Sequence, residues 1–304
     1  MIEFFGDMPF PEYLALEAAS SHGLATIADR SPRYFRAQQQ KETPAKRRGT
    51  LVHLLVGTPE LEASEVHVRP DVKLNTNAGK IAYLDWMCDK LGEFAPIFPS
   101  KSPGSALDDA ISNLLPGLEA LGGFVVSQSE YDTGRAMADS VREHPLLKRI
   151  YECGAAEQTL VVESDEFGCK IKTRADWRPE GEPLIVDLKT AACASKSEFE
   201  RACARFNYPV QAWLYSENDA QAGWERPEFW HVVVESEPPY DVALHIMTAR
   251  TIRAGERKAR EALEIYRRCT LAGHWPGLGW DWDRGRYGPI ECETPFWYGR
   301  KAED

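Results

Sequence analysis

The chain has 304 residues, 43% hydrophobic and 27% charged, with a formal net charge of −11 at pH 7. That balance is typical of folded globular proteins and excludes disordered and fibrous classes. The apolar runs are far too short to cross a bilayer as a helix, so a membrane role is not expected.

Residues 1–20 carry Glu3, Asp7, Glu12 and Glu17, where a secretory signal would place basic residues and then an apolar core, so a cytoplasmic location is expected. Residues 11–40 read as helical with a break at Ser31-Pro32, because proline restrains its predecessor and suits only a first helical turn. Between 30 and 48 lie Arg30, Arg33, Arg36, Lys41, Lys46, Arg47 and Arg48 against one acid, Glu42. An isolated basic patch is most often solvated surface. In an acidic protein, segregated basic stretches also suit nucleic acid held in a lined groove.

A short helix is predicted over 48–56, a loop from 71 turning helical over 81–91, an irregular stretch over 92–106 and a helix over 133–151. The pattern then becomes β-type over 158–163, 169–178 and 184–190, with tight turns between, which predicts an antiparallel meander. A helix over 195–217, a strand pair over 228–235 and 241–248, and a long helix over 249–272 complete a mixed α/β chain, a sheet flanked by helices. In the last helix Arg250, Arg253, Arg257 and Arg260 recur at spacings of three and four and share one face. No repeat, low-complexity tract or linker interrupts the chain, so one domain over 1–304 is expected.

The segment with the most chemistry is Thr173-Arg174-Ala175-Asp176, a turn, then Ile185-Val186-Asp187-Leu188-Lys189. Alternation along a strand puts Asp187 and Lys189 on one face, and the turn returns the chain so that Asp176 can sit beside Asp187. Two carboxylates suit a hard divalent cation, and an ammonium beside them could orient water or stabilise transition-state charge in phosphodiester hydrolysis. A lone D-x-K is more often an exposed ion pair. Here Asp187 follows the apolar run Leu184-Ile185-Val186, and an acid in a buried strand is costly without a partner or a metal. Gln211 and Tyr215 share a face of the following helix, and His53 lies on the short helix after Gly49.

In order along the chain, Gly49 and His53 (G-x-x-x-H), a strand-opening Glu157, Asp176, Asp187 and Lys189 (D-x-K), and Gln211 and Tyr215 (Q-x-x-x-Y) resemble the RecB-like branch of the PD-(D/E)xK nucleases. Thr76-Asn77-Ala78-Gly79-Lys80, His144-Pro145, Val186-Asp187-Leu188-Lys189-Thr190, Trp275-Pro276-Gly277 and Pro295-Phe296-Trp297 are similar to the exonuclease VIII (RecE-type) nuclease domains. The resemblance implies a restriction-endonuclease-like core over 131–275, preceded by a helical region (1–130) and followed by a tail (276–304). It implies a magnesium-dependent exonuclease, with manganese able to substitute, that cuts double-stranded DNA from its ends 5′ to 3′ and leaves 3′ overhangs for recombination by annealing. A RecT-like annealing partner and a ring-shaped homo-oligomer, a tetramer, are implied as well.

Carried onto this sequence, the resemblance makes Asp176 and Asp187 metal ligands, Lys189 the catalytic lysine and His53 a further ligand. Asp85, on the helix after Thr76-Asn77-Ala78-Gly79-Lys80, and Glu157 compete for an additional acidic role. Gln211 and Tyr215 join the catalytic set, and Arg174, Arg33, Arg36, Arg47, Arg48, Arg250, Arg253 and Arg257 are the expected DNA contacts. Asp176 follows Ala175 where the broader motif often has Pro or Gly, and residues 92–130 are longer than their counterpart. The seven cysteines lack any C-x-x-C pair and are not clustered as an iron–sulfur centre requires, so no such cluster, no structural zinc and no disulfide framework are expected. Two alternatives stay open: a related nuclease with single-strand or structure-specific activity, and a non-catalytic DNA-binding protein on the same fold.

Overall fold

The computed structural model describes residues 1–6, 8–38, 43–93 and 103–294. Lys41, Pro96, Pro99 and the Pro295-Phe296-Trp297 motif lie outside them. The chain opens with β1 (Ile2–Phe5), α1 (Phe10–Ala15), α2 (Ser21–Asp29) and α3 (Pro32–Ala37). The predicted break at Ser31-Pro32 is the start of α3: Ser31 Oγ accepts from Tyr34 N, and Pro32 sits where a missing N–H costs nothing.

Next come α4 (Pro44–Gly57), α5 (Glu62–Glu65), β2 (Val66–Arg69), α6 (Asn77–Leu91), α7 (Gly104–Ala120) and β3 (Phe124–Ser127). Thr43 and Thr76 cap α4 and α6, so both helices begin earlier than their apolar faces suggest. The helix α7 and the parallel β2–β3 pair were not expected; Tyr83, Met87 and Leu118 form a satellite core there.

The predicted helix over 133–151 is two, α8 (Gln128–Glu143) and α9 (Pro145–Ile150), separated at His144-Pro145. After them run β4 (Gly154–Ser164), β5 (Cys169–Pro179), β6 (Leu184–Ala191), α10 (Lys196–Phe206) and α11 (Tyr208–Gln221). The predicted single helix over 195–217 is split by Asn207, whose left-handed φ of 57° ends α10 and starts α11. Then follow β7 (Glu228–Glu235), β8 (Val242–Ile246), α12 (Ala249–Ala272) and the small β9 (Trp280–Asp281) and β10 (Arg286–Tyr287) pair.

The main sheet has the order β1-β4-β5-β6-β7-β8, antiparallel except for the parallel β6–β7 step. One face packs Val186, Leu188, Val232 and Val234 against α4, α8 and α9. The other packs Ile171, Ala175, Ile185 and Phe229 against α2, α11 and α12. Ala175 and Trp177 would share a face on an ideal strand, yet Ala175 belongs to the α11 side and Trp177 to the α4 side. The facing changes at Asp176, where the β4–β5 ladder skips from Gln158↔Ala175 to Ala156↔Trp177. Glu157, the omitted residue of β4, has a φ of 56°. Beyond the Trp177↔Val186 bridge β5 and β6 separate, so the kink and the gap fall together.

Candidate metal centre

The kink delivers the first group of side chains. His53, one turn before the end of α4, Glu157 of β4 and Asp176 of β5 place one ligand atom each within 4.8 Å of one another. His53 Nδ1 lies 3.6 Å from Asp176 Oδ2. The same carboxylate oxygen accepts a 2.8 Å hydrogen bond from Leu188 N, which fixes its position in the gap between the strands. α4 crosses close to this gap: a Cβ on Gly57 would meet Ala156 Cβ at 3.2 Å, so the helix end is seated against the kinked strand.

The second group comes from β6 and α11. Asp187 is 2% exposed, with Oδ1 accepting from Gln211 Nε2 at 2.6 Å. Its Oδ2 is 2.5 Å from Lys189 Nζ, an ion pair without an aligned hydrogen bond. Asp187 and Lys189 do share a face, the one that packs on α11. Tyr215, one turn along α11, donates from its hydroxyl to the Arg174 carbonyl at 2.9 Å and so ties α11 to β5. Arg174 in turn donates from Nε to Glu157 Oε2 at 2.5 Å and from Nη1 to the Met8 carbonyl at 2.5 Å, so its guanidinium orients an acid of the first group.

The electrostatics fit a cation site. Burial pushes the Asp176 carboxyl up to about 7; the nearby His53 opposes this and the charge of Asp187 adds to it. Burial also works against the Lys189 charge, but Asp187 and Asp176 outweigh it and hold the ammonium above its ordinary pKa. Carboxylate oxygens with one imidazole nitrogen are a donor set for magnesium or manganese. Asp187, expected to be a ligand, lies outside that set: its Oδ2 faces Lys189 Nζ and its Oδ1 accepts from Gln211.

The other expected residues lie elsewhere or are engaged. Asp85 is exposed on α6 and outside the ligand group, which contains Glu157 instead. Arg33 donates to the Tyr287 hydroxyl at 2.9 Å and Arg36 lies over the Trp275 ring, so both pack on the C-terminal hairpin side. Arg47 reaches the Val125 carbonyl at 2.5 Å, with Arg48 next to it on α4. Arg250, Arg253 and Arg257 are exposed on α12, whereas Arg260 is half-buried against Phe167 and Trp213 and paired with Glu166.

Sequence reasoning missed His231, the register partner of Asp187 on β7. It is fully buried among Phe199, Tyr208 and Phe229, and neither ring nitrogen has a hydrogen-bond partner among the described residues. Burial lowers its pKa to about 4 against the pull of Asp187. A histidine inside an apolar strand carries no periodic signal that separates it from a surface one.

The family model for a PDDEXK-like domain of unknown function (DUF3799) matches residues 124–279, just over half of the chain. The chain belongs to this PDDEXK-like family. The match runs from β3 to the β9 boundary and contains Glu157, Asp176, Asp187, Lys189, Gln211 and Tyr215, while His53 lies ahead of it. A solved structure of a candidate exonuclease from Eubacterium rectale is similar in fold, with a TM-score of 0.54 at 13% identity over 94% of this chain and 96% of that one. Among curated proteins no match is found. Among the described residues of the PDDEXK-like chain, no helix is long and apolar enough to cross a membrane.

Proposed function

We propose that this PDDEXK-like protein is a magnesium-dependent DNA exonuclease of the RecE type. The observation that carries the reading is the convergence of His53, Glu157 and Asp176 beside the Asp187–Lys189 pair in the gap between β5 and β6. A divalent cation held by these donors would neutralise phosphate charge and lower the pKa of an attacking water.

The chain's own groups perform the rest. Lys189 is held charged and can stabilise negative charge developing on the phosphate. Gln211 holds Asp187 by its Oδ1 and leaves Oδ2 toward the lysine. Leu188 N fixes Asp176, and Arg174 fixes Glu157. Gly49 of α4 passes β6 at Thr190, one residue after Lys189, and Lys46 and Arg48 lie within one turn of Gly49 on that helix, where positive charge could meet phosphate.

The finer parts of the reading, cutting of double-stranded ends 5′ to 3′, a RecT-like partner and a ring-shaped homo-oligomer, rest on the motif resemblance alone. Purified protein with magnesium is expected to shorten linear duplex labelled at one 5′ end and to leave a covalently closed circle intact. Asp187→Ala should abolish the shortening. Cutting of the circle would replace the exonuclease reading by an endonuclease one, and equal behaviour of wild type and variant would remove the catalytic reading altogether. Sedimentation with and without a DNA end tests the ring.

A further inference from the structure

Two exposed phenylalanines are each joined to the candidate centre by a short series of contacts. Phe10, 51% exposed on α1, is stacked on Tyr13 with ring centroids 6.1 Å apart and planes at 18°. The Arg174 guanidinium lies 5.7 Å from the Phe10 ring, and Arg174 bonds Glu157. Phe206, 54% exposed at the end of α10, is stacked on Tyr208 at 5.7 Å and 29°. Lys189 Nζ lies 5.3 Å from the Tyr208 ring, and Lys189 pairs with Asp187. One series therefore ends at Glu157 and the other at Asp187.

The two arrangements share their chemistry. Each is an outward phenylalanine with a tyrosine stacked behind it and an arginine beside it, Arg174 for Phe10 and Arg205, 5.3 Å over the ring, for Phe206. The backing segments are anchored. Buried Lys172 donates to the carbonyls of Tyr13 at 2.7 Å and Leu16 at 2.8 Å, and Arg174 donates to that of Met8, which fixes the α1 segment. Asn207, between Phe206 and Tyr208, is bonded to Asp29 and to Lys258 Nζ. A single exposed phenylalanine needs no explanation. Rigid aromatic rings with an adjacent cation, one connected to Glu157 and one to Asp187, match how proteins hold unpaired nucleotides: bases stack on the rings and phosphates meet the arginine. Paired bases inside a duplex have no free face to offer.

We propose that Phe10 and Phe206 stack unpaired bases of the strand being cut, so that the form taken at this site is a DNA single strand or a duplex end frayed over its last base pairs. The proposal takes the DNA substrate from the nuclease reading above and adds the base-stacking residues and the unpaired form.

The test uses a DNA oligonucleotide with 2-aminopurine in its terminal nucleotides, bound by the full chain in EDTA so that nothing is cut. Wild type is expected to quench the fluorophore in a single strand and in a duplex with mismatched ends. Phe10→Leu and Phe206→Leu should each lose quenching and weaken single-strand binding about tenfold. Unfolding midpoints of both variants, expected to match wild type, separate this from misfolding. With magnesium, the variants should raise KM for frayed ends more than they lower kcat. Absence of quenching by wild type, or undiminished quenching in both folded variants, overturns the proposal. Quenching without cleavage of any DNA would sink the nuclease reading and leave the stacking rings standing, whereas cleavage with unaltered fluorescence would sink the rings alone.

Discussion

The carboxylate of Asp176 accepts a hydrogen bond from the backbone N–H of Leu188 at 2.8 Å, across the gap where an antiparallel ladder would supply a carbonyl. One side chain therefore both completes the backbone of β6 and faces His53 and Glu157. Two substitutions separate these roles. Asp176→Asn keeps an acceptor for Leu188 and removes the charge; at pH 7 it should be at least as stable as wild type, because burial disfavours the carboxylate, while losing activity on the order of a hundredfold or more. Asp176→Ala also leaves the Leu188 N–H without its acceptor and should be about 1–3 kcal/mol less stable than Asp176→Asn in urea unfolding. Equal stability of the two variants would show that the hydrogen bond contributes nothing.

Gln211 touches Asp187 through one 2.6 Å hydrogen bond and reaches the chemistry only through it. Gln211→Ala should reduce kcat about 10–100-fold and weaken calorimetric magnesium affinity, with the unfolding midpoint preserved, because loss of an outer hydrogen bond frees the carboxylate to rotate. Gln211→Glu places a second negative charge against Asp187 and should be worse. An unchanged magnesium affinity in both variants would remove Gln211 from this positioning role.

His231 supplies a pH prediction. A histidine in the unfolded chain titrates near 6.5, while burial holds this one near 4 in the folded protein. Between those values the unfolded chain binds more protons, so stability falls as pH drops from about 6.5 toward 4. His231→Phe, which places a ring among Phe199, Tyr208 and Phe229, removes that proton uptake. The wild type should lose about 2 kcal/mol more than the variant between pH 7 and pH 5. Parallel pH profiles in urea unfolding would show that the imidazole does not titrate as a buried group.

The D-x-K pair and its common face were legible because strand alternation between Ile185 and Lys189 is regular. The helix α12 was legible to its ends because Thr248 and Gly273 cap an uninterrupted apolar stripe. Asp176 is the instructive case. Simple alternation would put Ala175 and Trp177 on one side, and only the non-local kink with Glu157 lets Asp176 face the gap. Glu157 and Asp85 could not be ranked from the sequence, since both are single acids near a helix or strand end and only tertiary packing brings one of them to His53. β1 pairs with β4 at a separation of more than 150 residues, and no local pattern in a four-residue strand announces such a partner.

Gly255 is set by a close approach: a Cβ there would lie 2.2 Å from the Pro209 carbonyl oxygen, at the crossing of α12 and the first turn of α11. That turn carries Tyr208 and leads to Gln211, so the crossing distance sets where both residues meet Lys189 and Asp187. Gly255→Ala should cost about 1–3 kcal/mol through overpacking. Its activity should fall further than that of Ala254→Gly, which loosens the same helix without a clash. Wild-type stability in Gly255→Ala would mean that the helices part at no cost.

The exposed arginines of α12 can be tested by their response to salt. Arg250, Arg253 and Arg257 are on the side of the helix opposite buried Gly255, Ala259 and Ala262, and they are exposed. If that side meets DNA, each arginine neutralises a phosphate and releases condensed counterion, and the slope of log affinity against log salt falls by about 0.9 for every contact removed. Arg250→Glu and Arg253→Glu should weaken duplex binding at low salt and flatten that slope by about 1 each, with the cutting rate of saturated enzyme retained. Lys46→Glu and Arg48→Glu on α4 provide the comparison from the other basic stretch. If the α12 variants bind with wild-type affinity and slope while the α4 variants do not, the DNA path runs past α4 alone.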